Sequence, residues 1–167
     1  KFVEISVTSF MEIKLICMGK SVEPWLVEGM GLYIGRLKHY CRFSLIEIPE
    51  LKQTSALSTE QIKEREGALI LKQIAPSDHL VLLDEHGKEL RSISWARDLE
   101  ERMIHDPKVI VFVIGGSYGF CDTVYKRANA KLSLSQMTFS HQIIRVIFLE
   151  QLYRAFTIIK GEPYHHE

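Results

Sequence analysis

Residues 109–119, V-I-V-F-V-I-G-G-S-Y-G, constrain the fold of this chain more than any other stretch. Six β-branched or aromatic residues run without interruption into a glycine turn. A strand that is apolar on both sides is covered on both sides, which is the habit of parallel sheets in α/β folds. An amphipathic segment follows, so strand, turn and helix are expected in that order. Open α/β sheets bind ligands at the carboxyl ends of their strands, and Gly115-Gly116 is therefore a candidate wall of a binding site. A second stretch, from Lys131 to Arg154, carries the most unusual residues downstream. The two stretches are expected to face one ligand.

The rest of the chain repeats the alternation. Strands are expected at Met11 to Met18, Arg42 to Ile48, His79 to Asp84 and Lys131 to Ser135, with a turn at Glu85-His86-Gly87-Lys88. Trp25, Leu26, Met30, Tyr33, Ile34 and Leu37 recur at helical spacing, which predicts a helix from Glu23 to His39 with Pro24 in its first turn. Ser58-x-x-Gln61 has the form of a capping box, opening a helix that Pro76 stops. A helix capped by Ser92 or Ser94 is expected to run to about His105, a short one from about Asp122 to Ala128, and a long one from Ser140 to Lys160. Strands alternating with helices predict a single α/β domain, with a mostly parallel sheet and helices on both faces.

Composition narrows the function. The chain has 167 residues, one domain's worth, and is 46% hydrophobic, enough for a core without disulfides or metals. Lys+Arg and Asp+Glu both number 21, so an overall basic field for nucleic acid is absent. Cys17, Cys41 and Cys121 are scattered, without metal-ligand spacing. They read as free buried thiols in a reducing, cytoplasmic compartment, and no metal site is expected. No apolar run approaches the ~20 residues of a membrane span. Residues 1–10 alternate like a short strand and lack the apolar region of a signal peptide. They are read as an upstream extension, with the domain spanning 11–167.

The last helix is apolar around almost its whole circumference, from Ile143 to Ile159. Such a helix is buried on more than one side. The second cover is either another subunit in an isologous dimer or the rest of a monomer core.

Three motifs carry chemistry. Gly115-Gly116-Ser117-Tyr118-Gly119 fits G-x-S-x-G, the nucleophile elbow of α/β-hydrolases, with Asp122, Glu150, His141 and His165 as possible partners. The chain is short for that fold and has no H-G-G-G stretch. The glycine pair also admits a plainer reading: close backbone approach to a ligand with N–H groups at a helix start, or only a tight turn. Leu132 to His141, L-S-L-S-Q-M-T-F-S-H, interleaves short polar and apolar residues, as a loop wrapping a partly polar ligand would. Ser140 is a good N-cap, and His141 then lies in the first turn, where a neutral imidazole could accept a proton. Arg145, Glu150 and Arg154 punctuate the apolar helix. Glu150 and Arg154 are spaced for an ion pair, and the arginines call for anionic partners such as phosphate. The tail G-E-P-Y-H-H-E places Tyr164 and His165 where they could stack on a base and handle a proton.

G-G-S-Y-G, L-S-L-S-Q-M-T-F-S-H-Q-I-I-R-V, E-Q-L-Y-R-A-F and P-Y-H, in this order, closely resemble the small SPOUT-class methyltransferases of the RlmH type. M-G-K, K-E-R-E-G and L-D-E-H-G-K extend the resemblance from Met11 to the C-terminus. It implies a SPOUT fold with a C-terminal trefoil knot holding S-adenosylmethionine. It also implies a homodimer with composite active sites, and methylation of N3 of a pseudouridine in large-subunit rRNA on the assembled ribosome. Carried over by motif, the cofactor residues are Leu83, Gly115, Leu134, Ser135, Gln136, Met137, Thr138 and Phe139. The substrate-side residues are His141, Arg154, Tyr164 and His165, with the tail supplied by the other subunit. Two positions depart from the pattern: Ser140 stands where members often have proline, and His166 where they often have Arg or Lys. A serine hydrolase and a non-catalytic ribosome-binding module are the competing readings.

Overall fold

The computed structural model describes residues 11–106 and 109–166. The reading of residues 1–10 lies outside them.

Five strands form one all-parallel sheet in the order β2-β1-β4-β3-β5. They are β1 (Glu12–Met18), β2 (Arg42–Ile48), β3 (His79–Glu89), β4 (Ile110–Ile114) and β5 (Ala130–Ser133). The helices between and after them are α1 (Pro24–Leu37), α2 (Thr59–Leu71), α3 (Ser92–His105), α4 (Asp122–Arg127) and α5 (Ile143–Ile159).

Side chains alternate across a strand, and both faces of this sheet are apolar. On one face Ile13, Leu15, Cys17 and Phe112 pack with Leu26 and Met30 of α1, Trp95 and Leu99 of α3, and Phe148, Leu149 and Leu152 of α5. On the other, Ile16, Met18, Leu80, Leu82, Val111 and Val113 pack with Ile70 of α2 and Val124 of α4. β4 is buried at all five positions, as its uninterrupted apolar run predicts. Phe112 and Phe148 meet at 4.8 Å between ring centroids under α5. Burying one such ring contributes roughly 1.5–3 kcal/mol.

The all-round apolar character of α5 is met largely within the chain. α1 lies on one side of it, α3 on the other and the sheet beneath, while Ile143 at its start stays exposed. Trp25 corrects the helical spacing: it is exposed, and α1 buries Leu26, Met30 and Leu37 instead.

The capping box at Ser58 forms in both halves. Ser58 Oγ accepts from the Gln61 N–H at 3.2 Å, and Gln61 Oε1 accepts from the Ser58 N–H at 2.9 Å. α2 ends at Leu71, short of Pro76. α3 has neither serine as its cap: Arg91 holds that position, and Ser92 Oγ donates to Gln151 Oε1 on α5 at 2.9 Å.

β3 departs most from expectation. It does not end at Asp84 but continues to Glu89, with an irregularity between Leu83 and Lys88, both of which pair with Leu132 of β5. The extra residues bulge out at the carboxyl end of the sheet. Gly87 closes the bulge against β5, where an added Cβ would lie 2.8 Å from the backbone of Leu132. Only a residue without a side chain permits that approach.

All three cysteines are buried and free. Burial pushes the Cys17 and Cys41 thiols up to about 12, so neither is a thiolate near neutral pH. Among the described residues, no helix is long and apolar enough to cross a membrane.

Candidate active site

The carboxyl ends of β4, β3 and β5 lie side by side, and their loops enclose a cleft of about 540 Å³. Leu83 and Ile114 form its floor. The β3 bulge supplies Asp84, Glu85 and His86, the loop after β4 supplies Gly115 to Phe120, and the loop after β5 supplies most of 134–141. Both sequence stretches therefore face one cavity.

Of the expected cofactor residues, Leu83, Gly115, Leu134, Ser135, Met137, Thr138 and Phe139 line the cleft, and so does His141. Gln136 does not: its amide turns away and donates to Glu89 Oε2 at 3.3 Å. Local hydrogen bonds shape the loop. Ser133 Oγ donates to the Ser135 carbonyl at 2.9 Å, and Ser135 Oγ accepts from the Met137 N–H at 2.9 Å. Thr138 Oγ1 donates to Glu85 Oε2 at 2.8 Å and ties this loop to the β3 bulge. Met137 and Phe139 remain exposed on the loop, apolar surface that a ligand can cover.

The glycine turn is a tight turn, not a helix start. Gly119 N–H donates to the Gly116 carbonyl at 3.1 Å, and Phe120 and Cys121 separate it from α4. Two of its glycines are crowded from behind. A Cβ on Gly116 would stand 2.6 Å from Glu66 Oε2, and one on Gly115 would meet the Phe120 ring at 3.1 Å. Burial, with Glu50 nearby, pushes the Glu66 carboxyl up. Ser117 is exposed, and no imidazole or carboxylate bonds it among the described residues. The relay that a serine nucleophile needs is not assembled.

Three residues that sequence reasoning left out of the site stand on this cleft: Asp84, His86 and Tyr125. Asp84 accepts from the Tyr125 hydroxyl and, at 2.8 Å, from the His86 N–H. Burial alone would raise the Asp84 carboxyl, but these hydrogen bonds outweigh it and hold the group below the usual carboxylate range. Asp84 is thus an anion fixed beside Leu83. Its position after the last core residue of a buried strand was the available signal.

Arg145 corrects the expectation of a phosphate ligand. It is fully buried and donates to the carbonyls of Met18 at 2.8 Å, Gly19 at 3.1 Å and His141 at 2.9 Å, and to Ser21 Oγ at 2.9 Å. Glu47 Oε1 lies 3.5 Å away. Its role is to join the loop after β1 to the turn before α5. Because α5 begins at Ile143, His141 lies ahead of its first turn, while Ser140 Oγ still accepts the Ile143 N–H at 3.2 Å.

Arg154, Tyr164 and His165 form a second cluster, apart from the cleft. Glu150 Oε1 accepts from Arg154 Nε at 3.1 Å, Arg154 Nη2 at 2.5 Å and the Tyr164 hydroxyl at 3.0 Å. Arg154 Nη1 lies 3.2 Å from His165 Nδ1. One guanidinium edge is thus spent on Glu150 rather than open to phosphate. Burial and hydrogen bonds with Tyr33 and Glu150 push the Tyr164 hydroxyl up. The tail is pinned where Tyr40 donates to Glu162 Oε2 at 2.5 Å and Glu162 N–H to the Thr157 carbonyl at 2.9 Å. Arg154 is eleven residues beyond Ile143, about 16 Å along α5 at 1.5 Å per residue.

An all-parallel sheet with a ligand-sized cleft at its carboxyl edge is common to many α/β proteins, and family comparison decides among them. The family described as "Predicted SPOUT methyltransferase" matches residues 11–165. The chain belongs to this SPOUT methyltransferase family. It is 52% identical over 157 residues to a protein of Bacteroides fragilis, covering 94% of this chain and 100% of that one. It is 54% identical to one of Parabacteroides distasonis and 49% identical to one of Flavobacterium johnsoniae, with the same coverage. Each of the three is named "Ribosomal RNA large subunit methyltransferase H". The SPOUT assignment agrees with the sheet, the flanking helices and the motif order, and it leaves the hydrolase reading without support.

Proposed function

We propose that this SPOUT methyltransferase transfers the methyl group of S-adenosylmethionine to N3 of a pseudouridine in large-subunit rRNA, on the assembled ribosome, as a homodimer with the C-terminal trefoil knot of its family. The observation that carries the reading is the cleft itself. Seven of the eight residues expected to hold the cofactor line one cavity of about 540 Å³, within the roughly 300–1,000 Å³ usual for small-molecule sites. Its apolar and polar walls suit a molecule that is part purine, part sulfonium and part amino acid. Leu83, Ile114, Leu134 and Phe139 would cover apolar surface. Asp84, held ionised, would face hydroxyl or cationic groups, and the 115–119 backbone allows close approach. When bound, the cofactor supplies a methyl group already activated for attack, so the chain's task is positioning and charge stabilisation.

The tail cluster supplies the second half. A guanidinium only donates, so His165 Nδ1 accepts from Arg154 and a neutral imidazole carries its proton on Nε2. The Tyr164 hydroxyl stays protonated but spends its one hydrogen on Glu150, so the His165 Nε2–H is the donor left for the substrate. A donor beside the target base favours its anion. The tail therefore assists loss of the N3 proton to solvent water by stabilising the negative charge left on a ring carbonyl, not by taking the proton itself. His165 does not line its own chain's cofactor cleft, though it lines a neighbouring one that shares Leu132 and Leu134 with it, and the tail of a second copy is the one proposed to act there, as the resemblance implies. Exposed Val22, Trp25, Val27 and Leu32 offer apolar surface for such a copy. The even charge balance fits recognition of ribosome shape over general phosphate attraction.

The test is transfer of a radiolabelled methyl group from S-adenosylmethionine to assembled ribosomes, free large subunits and naked rRNA from cells lacking the modification. Label on assembled ribosomes is expected. No label on any of the three, from folded dimeric protein, leaves the ribosome-binding module.

A further inference from the structure

A second cleft, of about 500 Å³, lies behind the tail. Arg91 and Ser92 at the start of α3 form one side, Gln151 of α5 another, and His165 and His166 close it. Trp95 and Ile147 give it an apolar floor. No carboxylate lines it, in a chain with as many acidic as basic residues. Arg91 is exposed, and no ion pair or hydrogen bond holds its guanidinium among the described residues. His165 belongs to both places: its Nδ1 meets Arg154 in the tail cluster, and its ring walls the cleft.

From this we propose that the cleft is a subsite for a nucleotide of the RNA substrate next to the target base. The proposal rests on the reading above that the tail acts on an rRNA base. A nucleotide combines a phosphate with a flat, half-polar ring. Arg91 offers a free planar fork for the phosphate. Ser92 Oγ already donates to Gln151 Oε1 and Gln151 Nε2 to Glu150, which leaves a Ser92 lone pair and the second Gln151 amide hydrogen for a base edge, over the apolar floor of Trp95 and Ile147. Since His165 touches both sites, a base held at the tail has its chain neighbour within reach of the cleft. Arg91 is then an anchoring residue for the RNA backbone; it lies outside the cofactor cleft, although the two cavities share the Leu132 and Leu134 wall.

Two experiments on the full-length protein test this. Arg91→Gln should raise the KM for ribosomes about tenfold, leaving kcat and the affinity for S-adenosylmethionine by calorimetry unchanged. Arg91→Lys should recover only part of the loss. An unmoved KM overturns the subsite, and so does an equal loss of cofactor affinity. Second, a benzophenone amino acid at Ile93, on the cleft wall, should crosslink to rRNA within a few nucleotides of the methylated base. Crosslinking only to a second copy of the chain, or to distant rRNA, overturns it. If wild-type protein methylates no ribosome, the reading of function fails. If it does and Arg91→Gln behaves as wild type, this inference alone fails.

Discussion

Arg145→Met separates structural from ligand-binding roles on α5. Methionine nearly fills the space of the stem but donates nothing. In wild type the guanidinium serves the Met18 and Gly19 carbonyls, both buried, and the partly buried His141 carbonyl and Ser21 hydroxyl. A buried acceptor left without a donor costs about 1–3 kcal/mol. The two buried carbonyls alone then account for about 2–6 kcal/mol. Glu47 is spared the worst, because it keeps the Ser21 N–H at 2.8 Å and hydroxyl at 2.6 Å. The expected loss is about 3–5 kcal/mol, in the range for breaking a buried charged pair. Urea unfolding should show it as a lower midpoint with an unchanged slope, and the melting temperature should fall by roughly 6–20 °C. At a temperature where the variant is fully folded, S-adenosylmethionine should bind several-fold more weakly, because the turn carrying His141 has lost its tether. Arg145→Lys should rescue little, since one ammonium cannot span the same acceptors. A loss below about 1 kcal/mol, or full rescue by lysine, would refute the account of Arg145 as the clamp between β1 and α5.

Other outcomes follow from the same geometry. Gly116→Ala should weaken cofactor binding because its methyl would meet Glu66 at 2.6 Å, and Glu66→Ala in the same chain should restore part of it. Titration calorimetry of the single and double variants decides. Glu66 has a raised carboxyl pKa, so its ionised form destabilises the fold, and that cost appears as pH rises through and above the ordinary carboxylate range. Glu66→Gln should therefore melt higher than wild type at neutral pH, with the gap closing toward about pH 4 in a scanning calorimeter. Gly87→Ala should force β3 and β5 apart at the bulge and lower both the melting temperature and cofactor affinity. His165→Ala should lower turnover on ribosomes with cofactor affinity intact; unchanged turnover removes the tail from the chemistry.

The parts of the fold that local rules govern were legible in the residues. β2 has its expected bounds, a run of seven residues that Pro49 ends. The Ser58 cap forms because both hydrogen bonds are made within four residues. β4 and its turn reveal the ligand edge because apolarity on both sides has one cheap solution, a covered parallel strand. What escaped depends on distant partners. The turn expected at 85–88 marks the break in β3, but the return of the chain to β5, where Leu83 and Lys88 both pair with Leu132, depends on a distant strand and was not legible. Arg145 looks like a ligand residue in sequence, since its acceptors lie more than a hundred positions away at Met18 and Gly19. Trp25 shares the helical spacing of the core residues but falls on the rim of α1. Motif order gave the candidate residues and already set the tail apart from the cofactor loop. That His141 lines the cleft while Arg154, Tyr164 and His165 gather elsewhere was not legible, because it depends on where α5 begins and how the tail folds back.

The most direct measurement is mass-spectrometric mapping of rRNA from ribosomes incubated with the protein and S-adenosylmethionine. The account predicts one added methyl, on N3 of a single pseudouridine of the large subunit, in assembled ribosomes. A methyl on another nucleotide or another ring atom, or none at all, would contradict it.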